Sequence, residues 1–231
     1  MLRSTVTKKY VMAISGLALT GFVVMHLIGN LQLLIPGGAM FNAYAHHLES
    51  LGKLLWVIEA GLVAVFLVHI AFAIMTNRDS AKARPVDYAV TATKGGDSKN
   101  NLSSRNMLLL GVFIAAFAIF HVWHFKFGAM YETVLNPLHP EEKSRDLYKL
   151  VVEEFKKIHI VALYVGAMFF LLFHLRHGIW SAFQSIGAMP RKWSTPLYGI
   201  LAILAVLLAL GFMLLPIIIY LMPSSMLGVA L

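Results

Sequence analysis

The side chains of this sequence best equipped for chemistry are its histidines. Ten occur in 231 residues, with no cysteine, and four of them sit deep inside long apolar stretches: His26, His69, His121 and His174. An ionisable ring in a bilayer core is costly and marks function by default. A lone intramembrane histidine is about as often a hydrogen-bonding residue between helices. One in each of four consecutive stretches is far more specific. Imidazole binds transition metals through one ring nitrogen, and bundle cores build such sites from facing helices. The missing cysteines exclude Cys₄ iron–sulfur clusters, a C-x-x-C-H haem attachment, disulfides and thiolate zinc sites. Any haem bound here is therefore expected to be held non-covalently, by histidine.

The composition describes the elements that must carry these rings. The chain is 59% hydrophobic and 13% charged, with mean hydropathy +0.75, against about a quarter charged in a soluble domain. A formal charge of +8 in so apolar a chain points to a membrane protein with basic loops; nucleic acid is not an expected partner. Five stretches reach the roughly 20 residues a spanning helix needs: residues 10–35, 54–76, 106–127, 158–186 and 197–222. Their continuous apolarity predicts helices, not a barrel. The expected fold is all-α, a single domain over 1–231 with five transmembrane helices. The first stretch follows Arg3, Lys8 and Lys9 like a signal peptide. Its length and the absence of a small-residue cleavage pattern predict that it is retained. Lysines and arginines are more numerous on the side holding the N-terminus, which predicts a cytoplasmic N-terminus and an external C-terminus.

These directions set depths. At 1.5 Å per residue, His26 and His121 lie ~24 and ~23 Å from the cytoplasmic starts of their helices. His69 and His174 lie ~12 and ~18 Å from cytoplasmic ends. The depths pair His26 with His121 and His69 with His174, two bis-imidazole sites stacked along the bundle. Two turns before the four histidines stand Ala18, Gly61, Phe113 and Gly166, three of them small enough to admit a macrocycle. Arg176 and His177, a turn beyond His174, could meet haem propionates. His124, a turn beyond His121, is expected in solvent beside Lys126, and His46, His47, His139 and His159 at the surface. Residues 77–105 read as a basic linker or docking surface, Phe41–Leu51 as an interfacial helix, and Glu141–Lys157 as a surface helix outside the membrane.

At these residues the chain resembles the five-helix, di-haem cytochrome b subunit of succinate:quinone oxidoreductases and fumarate reductases. The matching pieces are KKYVMAISGLAL, MHLIGNLQ, FNAYAHHLESL, VHIAF, ARPVDY, SSRNM, FHVWH and FHLRHGIWSAFQSIG. F-H-x-x-H-G-[IL]-W-S is the most specific of them. The resemblance implies a proximal haem b on His69 and His174 and a distal one on His26 and His121. It implies a flavoprotein (FAD) subunit and an iron–sulfur subunit as partners, docking at 77–105 and Gly187–Thr195. It also implies the cytoplasmic membrane of a prokaryote. Electrons from succinate would pass through both haems to a quinone, usually menaquinone. Quinone reduction consumes two protons, so an ionisable group is expected nearby; Glu59 is the first candidate, with His46 and Glu49 behind it. Where some family members carry a glutamate two residues before the fourth ligand, this chain has Leu172, which argues against transmembrane proton compensation by that route. Two other readings stay open: a di-haem anchor of a hydrogenase or formate dehydrogenase, and a haem-free transporter whose histidines bind protons or substrate.

Overall fold

The computed structural model describes residues 4–83, 102–134 and 143–228. Five long helices dominate them: α1 (Thr5–Asn30, continued by a 3₁₀ turn over Leu31–Leu34), α3 (Lys53–Lys82), α5 (Met107–Lys126), α7 (Ile158–Ser185) and α8 (Ser194–Leu221). All five are long and apolar enough to cross a membrane. Between them lie α2 (Ala39–Ser50), a single turn α4 (Leu102–Arg105), strands β1 (Glu132–Val134) and β2 (Lys143–Arg145), and α6 (Leu147–Phe155). A last turn, α9, covers Ser224–Leu227.

Helix boundaries depart from the apolar boundaries where charge finds a partner. α1 begins at Thr5 and α3 runs to Lys82, so residues 77–82, expected in a linker, are helical. The reason is an ion pair: the Lys8 ammonium donates to Asp79 Oδ2 at 2.6 Å, and Lys8 is buried. Of that expected linker, residues 84–101 lie outside the described residues. α7 stops as its sequence dictates. Gly187 adopts a left-handed conformation (φ +75°) and the Ala188 amide reaches back to the Phe183 carbonyl at 3.0 Å, a Schellman closure. α8 carries Pro216 within it. That ring has no N–H to give the carbonyl one turn earlier, at Phe212.

Contacts divide the chain into two compact units, and each long helix contributes to both. The first holds Met1–Phe22, Gly61–Ile114 and Phe170–Leu207. The second holds Val23–Ala60, Ala115–Phe169 and Leu208–Leu231.

The second unit has a dense core that includes Leu33, Phe41, Tyr148, Val152, Phe155 and Ile219. α6 supplies much of it. Tyr148, Leu150, Val151, Val152 and Phe155 are all buried, each contributing roughly 1.5–3 kcal/mol. Its start is fixed by Asp146, whose carboxylate accepts the Lys149 amide at 3.0 Å. Buried Asn42 of α2 donates to the same carboxylate at 2.8 Å and accepts the Tyr148 amide at 2.9 Å. The surface helix expected over Glu141–Lys157 is thus shorter, and one face of it is core. Glu141 itself lies outside the described residues.

The described residues are mostly helical, as expected, with one short hairpin added. β1 and β2 pair antiparallel, with Thr133 opposite Ser144. Arg145 anchors the pair by donating to the carbonyls of Phe125 (2.8 Å) and Lys126 (3.1 Å), placing a cation on the C-terminal end of α5.

Candidate functional site: two opposed histidine pairs

The first unit brings together His69 of α3 and His174 of α7, with ring centres 6.3 Å apart and planes at 74°. Ser15 of α1 prepares one of these rings. Its hydroxyl donates to the Met12 carbonyl at 3.1 Å and lies 3.2 Å from His69 Nδ1. A hydroxyl has one hydrogen; with it given to Met12, Ser15 can only accept Nδ1–H of His69, the tautomer in which Nε2 keeps its lone pair. Gly16 lets the ring lie there, since a Cβ at that position would stand 3.1 Å from His69 Cε1. At Gly111 of α5 a Cβ would come 3.6 Å from His174 Cε1.

The second unit brings together His26 of α1 and His121 of α5, with ring centres 5.8 Å apart and planes at 86°. His26 stacks on Phe212 of α8 (5.7 Å) and His121 on Phe117 (5.8 Å). α8 comes close because residue 211 is glycine; a Cβ there would stand 2.7 Å from Leu27 Cδ2. His121 Nδ1 lies 3.3 Å from the Tyr164 hydroxyl, which is also 3.1 Å from His124 Nδ1. The far side of His124 meets a carboxylate, Nε2 to Glu154 Oε2 at 3.0 Å.

The first pair has the span of a metal held between two imidazoles, and the second falls about 0.5 Å short of it. Two metal–imidazole bonds of about 2.0–2.1 Å, with about 1.1 Å from each nitrogen to its ring centre, span about 6.3 Å. Among the described residues no three His, Cys, Asp or Glu gather into a metal-binding cluster. A bare zinc ion takes three or four protein ligands. Two opposed imidazoles suit an iron whose other positions belong to a macrocycle. The first unit also holds two buried hydrogen-bond donors that a carboxylate would satisfy. Thr76 Oγ1 and Trp180 Nε1, about two turns beyond His69 and His174, are buried without a hydrogen-bond partner among the described residues. Both can donate to a carboxylate.

The other candidate residues are scattered. Glu59 pairs with Lys126, whose ammonium lies 5.8 Å over the Trp56 ring. His46 and Glu49 instead line a cavity of about 470 Å³ with Ser50, Tyr131 and Arg145; Glu59 does not border it. Arg176 donates to the Tyr198 hydroxyl at 3.3 Å. His177 follows His174 by one turn on α7. His124, expected in solvent, is 12% exposed because Glu154 and Tyr164 both engage it. Ser15, Gly16, Tyr164 and Glu154 carried no expectation from sequence.

Comparison of the chain with protein-family models, curated proteins and solved structures returned no match.

Proposed function

We propose that the chain is the di-haem cytochrome b anchor of a succinate:quinone oxidoreductase or fumarate reductase, linking an iron–sulfur subunit to a membrane quinone. The supporting observation is the pair of opposed imidazoles in each unit, 6.3 and 5.8 Å apart, on the four helices where the family resemblance expects ligands. His69 and His174 would hold the proximal b haem, and His26 and His121 the distal one. Bound there, the haems supply one-electron carriers, a chemistry the side chains of this chain lack.

The chain's own residues do the rest. Ser15 keeps the proton on Nδ1 of His69, leaving Nε2 for iron. Thr76 and Trp180, whose polar atoms are buried without partners among the described residues, would donate to propionates alongside Arg176 and His177. Of the quinone candidates, His46 and Glu49 share an open cavity and carry groups that exchange protons, while Glu59 is engaged by Lys126. The quinone, menaquinone by the resemblance, is assigned to that cavity. The flavoprotein and iron–sulfur partners supply the cysteines absent here, on the cytoplasmic side of a prokaryotic inner membrane.

The test is optical. The assembled complex should show a reduced α-band near ~560 nm that succinate elicits. His69→Ala and His174→Ala should remove the same haem, and His26→Ala and His121→Ala the other. Absence of the band, or loss of different haems within one pair, overturns the haem reading. A band that succinate fails to elicit assigns the chain to a different dehydrogenase.

A further inference from the structure

We infer that Tyr164, His124 and Glu154 form a hydrogen-bonded chain that fixes the tautomer of His121 and strengthens it as a ligand, lowering the potential of the metal it holds. The inference rests on the proposed role of His121 as a haem ligand and names what tunes that site.

With His124 neutral, the donors and acceptors have one assignment compatible with ligation. Glu154 is an acceptor when ionised. Burial alone would raise its carboxyl, but hydrogen bonds from Lys157 and His124 outweigh burial and hold it below the ordinary value. His124 therefore donates from Nε2, and its Nδ1, bare in the neutral ring, accepts the Tyr164 O–H. The Tyr164 oxygen is then free to accept Nδ1–H of His121, which leaves His121 Nε2 with its lone pair. Were Tyr164 to donate to His121 instead, the proton would sit on Nε2 and close that nitrogen to a metal.

Surroundings give the chain its force. The rings of Phe120 and Phe125 flank His124, with centres at 4.9 and 4.6 Å. Phe117 and Phe155 each lie 5.0 Å from Tyr164, edge to face. In such an apolar box hydrogen bonds are stronger than in water and polarise one another along the chain. An imidazole donating its N–H into an acceptor chain that ends on an anion is a more basic ligand. A stronger donor stabilises the ferric over the ferrous state. His69 differs, because its Nδ1–H meets a serine hydroxyl that ends on a neutral carbonyl. Tyr164, His124 and Glu154 are thus positioning residues that act through His121.

The experiment is potentiometric titration of the assembled complex, following both haems optically and by their low-spin ferric resonances. Tyr164→Phe keeps the ring and removes the hydroxyl. It should retain two haems, raise one midpoint and leave the other unmoved, with a changed resonance at the shifted haem alone. Glu154→Gln, far from the metal and outside the spans, should shift the same midpoint in the same direction by less. Unchanged midpoints in both variants, with two haems present, overturn the inference and leave the haem reading standing. Wild-type complex without b haem overturns both.

Discussion

Ser15 is the least conspicuous of the residues around His69 and the most consequential. By accepting Nδ1–H it selects the tautomer that leaves Nε2 available, and loss of such an outer partner typically weakens metal binding 10–100-fold. Ser15→Ala should therefore weaken haem retention at the His69/His174 pair by about that factor. Haem content after dilution or competition with apomyoglobin would measure it, with the haem proposed at His26/His121 as internal control. The four histidines were legible because an ionisable ring stands out in an apolar run. Their partners were not. A hydroxyl in a membrane helix is cheap, since it can satisfy itself on its own backbone, as Thr20 does on the Gly16 carbonyl at 2.9 Å. Ser15 and Tyr164 thus look like any other hydroxyl until the fold sets a ring beside them. Sequence spacing likewise placed His124 a turn past His121 without showing that Glu154 would bury it.

The short elements of the second unit owe their positions to polar side chains as much as to packing. Asn42 ties α2 to the first turn of α6 through two hydrogen bonds. Asn42→Ala strands a buried amide N–H and should cost about 1–3 kcal/mol, read as a lower denaturation midpoint of the detergent-solubilised protein. Glu154 adds a pH dependence. Its carboxyl is held below the ordinary 4.5 in the fold, so it stabilises the folded state above that value. The contribution is lost as pH falls through the lower, folded value. Melting temperatures of wild type and Glu154→Gln should differ at neutral pH and converge in acid. The apolar periodicity of Phe41–Leu51 made α2 readable. α6 was readable as a helix but not in its exact start: Asp146 caps it locally, yet that carboxylate and the Tyr148 amide are held by Asn42, over a hundred residues earlier in the chain. β1 and β2 were invisible: three-residue strands carry too little alternation to register, and Arg145 anchors them to carbonyls no local pattern predicts.

The five long helices are built for lipid contact. Trp56, Ile119 and Leu207 are 73%, 71% and 61% exposed on three of the five long helices, an arrangement water would penalise heavily. Alkaline carbonate or high-salt washing should leave the protein in the membrane fraction, and detergent alone should release it; appearance in the wash would refute a multi-pass anchor. Number and approximate extent of the spans were legible from hydropathy, since about 20 apolar residues admit few alternatives. Their true ends were not, and Lys8 shows why. Its partner Asp79 lies 71 residues downstream, which at about 5–20 residues per second is about 4–14 s of synthesis. Through that interval Lys8, with Arg3 and Lys9, is one of the cations near the start of α1, the situation in which a lysine directs which way a helix inserts. Once α3 is made, the same ammonium is buried against Asp79. One residue would thus serve first as an insertion signal and later as a latch, and reversing its charge should be felt during biogenesis before it is felt in the finished fold.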